Sequence, residues 1–115
     1  MMLTVAICTY NRADRLRAAL SSLVAAKAPP VDWEVIVVDN NSSDNTREAT
    51  EAIAPSLPLR YVFEPEQGLS AARDRAIAEA RGDWLLFTDD DVLVDRNWLV
   101  HYIAAMRRFP EAGFL

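Results

Sequence analysis

Three consecutive aspartates, Asp89, Asp90 and Asp91, follow the apolar run Trp84–Thr88. A short run of large apolar residues predicts a strand that is buried on both faces, as in the centre of a parallel sheet. Because side chains alternate along an extended chain, we expect Asp89 and Asp91 on one side and Asp90 on the other. Neighbouring carboxylates repel each other unless a cation lies nearby. An all-oxygen site that also admits a substrate's oxygens suits Mg²⁺ or Mn²⁺.

A structural role at a helix N-terminus is the alternative for these acids. Acidic side chains in that position stabilise a helix by about 0.3–1 kcal/mol each. Asp95 directly precedes a helical pattern that opens at Arg96, so we expect Asp95 to cap that helix. The acids at 89–91 lie too far upstream to cap it as well, which favours a metal or substrate site.

The elements that would position these acids follow from the apolar patterns of the whole chain. Continuous apolar runs predict strands, and apolar residues at i, i+3, i+4 and i+7 predict amphipathic helices. The predicted strands are Leu3–Thr9, Trp33–Asp39, Leu59–Phe63 and Trp84–Thr88, and the predicted helices are Arg12–Lys27, Asn45–Ala54, Leu69–Arg81 and Arg96–Phe109. This order predicts a three-layer α/β/α fold with a mainly parallel sheet, in which the acid-tipped strand lies beside the first strand.

Several local signals predict how the helices begin, end and face the sheet. Asn11 is expected to cap the first helix, and Ser43 or Asp44 the second. Gly82 is expected to be the C′ residue of the third helix. The inward stripe of that third helix is expected to contain Leu69, Ala72, Ala76, Ile77 and Ala80.

Length, charge and cysteine content limit the class of protein. The chain of 115 residues fits one domain, and its formal net charge of −5 argues against nucleic-acid or anionic-membrane binding. No segment approaches the roughly 20 apolar residues of a membrane helix. The single cysteine, Cys8, predicts a buried thiol and a reducing compartment, so we expect a cytoplasmic location.

Polar residues follow two other predicted strands at the same edge of the sheet as Asp91. Tyr10 follows the first strand, and Asp39 ends the second. Ligands of open α/β sheets bind at this carboxyl edge. Tyr10 can lie against a planar base, and Asp39 can accept a hydrogen bond from a base N–H. The alternatives are ordinary packing for Tyr10 and capping of the loop 40–44 for Asp39.

Four blocks in register match a known family pattern. They are Val5–Arg12, Val37–Asp44, Gln67–Asp74 and Phe87–Asp91. Together they resemble the family 2 glycosyltransferases, in that family's order and spacing. The resemblance implies the A-type glycosyltransferase fold, a Rossmann-like fold that binds a nucleotide-diphospho-sugar donor, here of the UDP or dTDP type, together with a divalent metal.

The resemblance also implies roles for particular residues. It assigns donor binding to Thr9, Tyr10, Asn11, Arg12, Asp39, Gly68, Ala72, Arg73, Asp89 and Asp90. It implies that Asp91 is the main metal ligand, with Asp89 beside it and leaning toward the ribose. Asp74 departs from the family pattern, which often has asparagine there. We expect its carboxylate to point away from the diphosphate or to pair with Arg73 or Arg75.

Residues 1–115 are therefore expected to form the donor-binding part of an inverting glycosyltransferase domain that stops before its acceptor half. Gly113–Leu115 predicts entry into another strand, and the general base is expected after Leu115. An exposed apolar edge near Leu85, Phe87 and Gly113–Leu115 predicts that the isolated chain either self-associates or is marginally stable, without sugar transfer. A non-catalytic nucleotide-binding module is the alternative. A signalling domain would need a lysine near the end of a later strand, and Lys27 is the only lysine.

Overall fold

The computed structural model describes residues 1–108, in which strands and helices alternate. The elements are β1 (Met2–Thr9), α1 (Ala13–Ala25), β2 (Asp32–Asp39), α2 (Thr46–Ile53), β3 (Leu59–Phe63), α3 (Leu69–Glu79), β4 (Trp84–Asp89) and α4 (Trp98–Arg108). A single 3₁₀ turn, Ala54–Ser56, follows α2. Every predicted strand and helix in the described range is present, and the predicted strand at Gly113–Leu115 lies outside it. No helix within residues 1–108 has the length and apolar character needed to cross a membrane.

The four strands form one parallel sheet in the order β3-β2-β1-β4. The acid-tipped strand β4 therefore pairs with β1, as predicted. Thr9 is in register with Asp39 of β2, and Cys8 is in register with Asp89 of β4. This register brings the carboxyl ends of three strands to one edge of the sheet, which is where a ligand site is expected.

The two faces of the sheet are covered by residues of different size. One face packs against leucines of α1 and large apolar residues of α4, including Leu16, Leu20, Leu99, Ile103 and Met106. The other face packs against α3, whose buried residues are Ala72 and Ala76. These two layers around the sheet confirm the predicted α/β/α architecture.

The predicted inward stripe of α3 is partly wrong. Leu69 and Ile77 are 58% and 59% exposed, whereas Ala72 and Ala76 are buried. The helix turns its small residues toward the sheet, and these let its backbone approach closely. The periodicity of the sequence cannot distinguish this face from the neighbouring face that carries the larger residues.

Two predicted helix ends are also corrected. Asn11 does not cap α1. Instead, the backbone N–H of Ala13 donates to Oδ2 of Asp44 at 3.1 Å, and Oδ1 of Asp44 accepts from the N–H of Thr46 at the start of α2. Gly82 is not the C′ residue of α3, which ends at Glu79. A Cβ at position 82 would lie 2.7 Å from both N and Oγ1 of Thr4, so this position needs glycine for space.

A buried polar cluster ties the end of α3 to the start of the sheet. The carboxylate of Glu34 accepts hydrogen bonds from Thr4 Oγ1 and the Arg81 N–H at 2.8 Å each, and from Arg60 at 3.2 Å. Arg60 also pairs with Glu79 at 2.8 Å. Burial raises the pKa of Glu34, but these hydrogen bonds outweigh burial and hold the pKa below its ordinary value.

Candidate functional site

A cavity of about 560 Å³ opens at the carboxyl edge of the sheet, beside the first turn of α3. Its size is within the usual range for small-molecule sites, roughly 300–1,000 Å³. The lining residues are Cys8, Thr9, Tyr10, Arg12, Asn40, Gln67, Gly68, Leu69, Ala72, Asp89, Asp90 and Asp91. The cavity is therefore formed by β1, by the residue that follows β2, by α3 and by β4, whose ends the parallel topology brings together.

Most of the residues predicted from the sequence line this cavity. They are Thr9, Tyr10, Arg12, Gly68, Ala72, Asp89, Asp90 and Asp91, whereas Asn11, Asp39 and Arg73 do not line it. Sequence reasoning missed four lining residues, Cys8, Asn40, Gln67 and Leu69. Each of the four directly neighbours a predicted site residue along the chain, which is the signal that would have found it.

The three aspartates divide into one buried and two exposed side chains. Asp90 is 6% exposed, and its carboxylate accepts a hydrogen bond from Thr9 Oγ1 at 2.9 Å and pairs with Arg12 at 3.3 Å. Asp89 and Asp91 are exposed, and Asp91 lies 3.8 Å from Arg12. The predicted alternation along an extended strand does not apply, because β4 ends at Asp89, Asp90 and Asp91 lie in a turn, and Arg12 contacts both of them. Asp90 joins β4 to β1 through Thr9, and all three aspartates line the cavity.

Asp89 and Asp91 place two exposed carboxylates at the cavity, and carboxylate oxygens are the ligand type that Mg²⁺ accepts. Within residues 1–108, no group of three or more His, Cys, Asp or Glu side chains is arranged to hold a metal by itself. Mg²⁺ is usually held by one or two carboxylates together with substrate phosphates. The donor set at this edge is therefore suited to a metal bound jointly with a phosphate-bearing ligand.

Asp39 is buried behind the cavity and holds two neighbouring groups. Its Oδ2 accepts a hydrogen bond from the Tyr61 hydroxyl at 2.5 Å, and its Oδ1 accepts from the Ser42 N–H at 3.0 Å. Burial and this hydrogen bond raise the pKa of Tyr61 well above its ordinary value, so the hydroxyl stays a donor. Asp39 thus caps the loop that follows β2 through its bond to Ser42. Base recognition by Asp39 stays a prediction.

Asn11 joins the turn after β1 to the loop after β2. It has a positive φ of 50°, its side-chain oxygen accepts from the Ser43 N–H at 2.7 Å, and its own N–H donates to Ser42 Oγ at 2.9 Å. Asparagine tolerates this backbone conformation better than most residues. Asn11 thus supports the site from outside the cavity, and donor contact by Asn11 stays a prediction.

The first turn of α3 forms one wall of the cavity. Gly68 precedes the helix with φ of +133°, and a Cβ there would meet nothing within 4 Å, so the conformation and not the space requires glycine. Arg73 and Asp74 are exposed, and Arg75 pairs with Glu64 and Glu79. Asp74 forms no ion pair within the described part of the chain, so it does not pair with either arginine.

Cys8 lines the cavity as a protonated thiol. Burial raises its pKa to about 11, the nearby Arg73 opposes this rise, and the carboxylates of Asp90 and Asp89 add to it. A thiol with this pKa is a poor nucleophile at neutral pH. Cys8 is therefore part of the cavity wall and not a nucleophile, as predicted, but it is only partly buried, whereas the sequence predicts a buried thiol.

Residues 4–115 match the family described as Glycosyl transferase family 2. The chain belongs to this family, as its sequence pattern predicts. The succinoglycan biosynthesis protein ExoM of Rhizobium meliloti is 33% identical over 114 residues, which are 96% of this chain and 37% of that protein. Validoxylamine A glucosyltransferase of Streptomyces hygroscopicus subsp. limoneus is 33% identical over 106 residues, which are 90% of this chain and 23% of that protein.

Solved structures of glycosyltransferases share the fold. S. aureus TarS 1–349 in complex with UDP superposes with a TM-score of 0.85 at 28% identity, covering 94% of this chain and 32% of that chain. The mannosyltransferase PcManGT from Pyrobaculum calidifontis, in complex with GDP-Man and Mn²⁺, gives a TM-score of 0.82 at 32% identity, covering 90% and 32%. The predicted A-type glycosyltransferase fold is confirmed. The chain spans only 23–37% of the length of these four proteins.

Proposed function

We propose that residues 1–115 are the donor-binding part of a glycosyltransferase that moves a sugar from a nucleotide-diphospho-sugar to an acceptor. The observation that carries this proposal is the cavity at the carboxyl edge, where Asp90 is locked by Thr9 and two exposed carboxylates stand beside it. Membership of glycosyltransferase family 2 supports the reaction class. We further propose that transfer is inverting and requires Mg²⁺ or Mn²⁺.

The nucleotide end of the donor would lie near Tyr10 and the ends of β1 and β2. Tyr10 is 47% exposed and lines the cavity, so its ring is available to lie against a base. Asp39 would read the base through an N–H group, and we propose a UDP- or dTDP-type donor. Relatives have been solved with UDP and with GDP-Man, so both nucleotides belong in the test.

The diphosphate end would lie between the acids of β4 and the first turn of α3. Asp91 would hold the metal with Asp89 beside it, and a metal bound there would offset the charge of the departing nucleoside diphosphate. Arg12 lines the cavity with half of its side chain exposed, and it supplies hydrogen-bond donors that can turn toward a phosphate. Arg73 would add a second guanidinium at the same end.

The acceptor end of the reaction is assigned to no residue of this chain. An inverting transfer needs a general base to deprotonate the acceptor hydroxyl. We propose that the base comes from outside these 115 residues. The chain covers 37% of the length of ExoM and 32% of that of TarS 1–349, which supports this proposal. A non-catalytic nucleotide-binding module would use the same cavity. Sugar transfer by a longer protein that contains this chain separates the two functions.

The experiment that tests the proposal is calorimetric titration of the chain with UDP or GDP in the presence of Mn²⁺. Asp91→Asn should weaken metal-dependent binding by about 100-fold, because even groups that only support a metal ligand contribute about 10–100-fold. Asp95→Asn is the matched control, since Asp95 is an exposed aspartate that does not line the cavity. Equal affinities in the two folded variants would refute the metal assignment, and no nucleotide binding by the unaltered chain would refute the function.

A further inference from the structure

Asn40, the first residue after β2, ties together three segments that form the cavity. It is 7% exposed and lines the cavity, and its backbone N–H donates to the carbonyl of Thr9 at 2.9 Å. Its side-chain nitrogen donates to the carbonyl of Glu66 at 2.7 Å and to that of Glu64 at 3.4 Å. Its side-chain oxygen accepts from the N–H of Gly68 at 2.9 Å. One amide thus holds both ends of the segment 64–68.

These contacts require an amide and not a carboxylate. Asparagine offers two donor hydrogens and an acceptor oxygen, and both capacities are used here inside the protein. Aspartate at position 40 would keep the acceptor for Gly68 but would place an anionic oxygen against the carbonyls of Glu64 and Glu66. A buried acceptor facing another acceptor loses a hydrogen bond and leaves both groups unpaired.

The segment that Asn40 holds carries the cavity wall. Gly68 leads directly into Leu69 and the first turn of α3, and both residues line the cavity together with Ala72. Because α3 contributes only alanines to the core, few apolar contacts fix where this first turn lies. The hydrogen bond from Gly68 to Asn40 is therefore a main determinant of the distance between this wall and the acids of β4.

We propose that Asn40 is a positioning residue for the diphosphate of the donor. It fixes the first turn of α3 against the ends of β1 and β2, and so sets the affinity of the cavity for the phosphate end of the nucleotide. This inference rests on the proposed function. It adds Asn40 to the residues that shape the donor site, because Asn40 bonds to the backbone of Gly68 and Glu66 in the cavity wall.

The test compares Asn40→Asp with Asn41→Asp. Asn41 is exposed, has a positive φ of 64° that aspartate also tolerates, and its amide makes one long contact of 3.4 Å with the Pro65 carbonyl. Both variants add one negative charge at adjacent positions, so an electrostatic effect on an anionic ligand is shared. We expect UDP with Mn²⁺ to bind about tenfold more weakly to Asn40→Asp than to Asn41→Asp. Loss of one buried hydrogen bond that positions the cavity wall has about this effect on affinity.

Two further measurements distinguish a positioning role of Asn40 from a global loss of structure in the variant. Uridine, which lacks the diphosphate, should bind the two variants equally. Amide exchange measured by NMR on the unliganded chain should show the Gly68 N–H protected in the wild type and in Asn41→Asp, with faster exchange in Asn40→Asp and unchanged exchange in β1. If Asn40→Asp does not fold, the uncharged variants Asn40→Ala and Asn41→Gly give the comparison, because glycine tolerates the positive φ at position 41.

The outcomes distinguish this inference from the proposed function. Binding of UDP by the wild type, with equal losses in both variants, would overturn the role of Asn40 and leave the donor site intact. A Gly68 N–H that exchanges in the wild type as fast as in an unstructured peptide would also overturn it. No binding of UDP or GDP by the wild type would refute the proposed function itself, and the role of Asn40 with it.

Discussion

Replacing Gly82 by alanine should destabilise the protein without touching the cavity. The added Cβ would lie 2.7 Å from the backbone N and from Oγ1 of Thr4, and 2.9 Å from the carbonyl of Met2. Two of these three atoms belong to the backbone of β1, which cannot rotate away from the new methyl group. Moving Thr4 would also disturb the hydrogen bond from the Gly82 N–H to its hydroxyl, now 2.9 Å.

The expected loss follows from three contributions. Overpacking of a filled site costs about 1–3 kcal/mol, and a weakened buried hydrogen bond costs about 0.5–1.5 kcal/mol. Alanine also lowers the conformational entropy of the unfolded chain relative to glycine, which stabilises the folded state by about 0.4–1 kcal/mol. The free energy of unfolding should therefore fall by about 2 kcal/mol, which lowers Tm by roughly 8–12 °C for a domain of this size.

Urea unfolding followed by circular dichroism measures this loss, and a double-mutant cycle with Thr4→Ala tests its cause. Removing Oγ1 relieves one of the close contacts, so Thr4→Ala should cost less in the Gly82→Ala background than alone, with a coupling of about 0.5–3 kcal/mol. A loss below about 0.5 kcal/mol for Gly82→Ala, within the usual range of surface substitutions, would refute the argument from space.

Four further predictions concern titration, reactivity, recognition and assembly. The lowered pKa of Glu34 adds stability that is present above its ordinary value of 4.5 and is lost as the pH falls through the folded-state pKa, so Glu34→Gln should flatten the acid limb of a pH–stability curve. Cys8, whose pKa is raised from 9.0 to about 11, should react with iodoacetamide about tenfold more slowly at pH 7 than a free peptide thiol, because its lower thiolate fraction outweighs the higher nucleophilicity of that thiolate, as mass spectrometry would report. Asp39→Ala should weaken UDP binding more than pyrophosphate binding, and an equal loss would leave Asp39 with its loop-capping role alone. The β4 edge near Leu85 and Phe87 should promote self-association, and a stable monomer in analytical ultracentrifugation would contradict that prediction.

The fold and most of the cavity follow from patterns that are local in the sequence. Runs such as Trp84–Thr88 are decisive because a buried parallel strand needs apolar residues on both faces. Once the strands are parallel, the residues after Thr9 and Asp39 must lie at the same edge as Asp91. The order of elements and the place of the site were therefore predictable together.

The errors concern contacts between segments that are distant in the sequence. Asp44, 31 residues from Ala13, takes the capping role that Asn11 was expected to fill. Asn40 bonds to Gly68, 28 residues away, and no pattern around Asn40 indicates that partner. In α3 the periodicity permits two apolar faces, and only the close approach of the helix to the sheet selects Ala72 and Ala76 over the larger residues.

The attachment of α3 to the sheet determines how easily this helix opens locally. Its buried residues are alanines, and ion pairs of Arg75 with Glu64 and of Arg60 with Glu79 supply much of the remaining attachment. Lifting this helix from the sheet would expose little apolar surface, so we expect such an opening to have a small denaturant m-value and to lie below global unfolding in free energy. We therefore expect the cavity wall formed by α3 to open while the sheet and its large-residue core stay folded, and added salt, which screens those ion pairs, should make that opening more frequent.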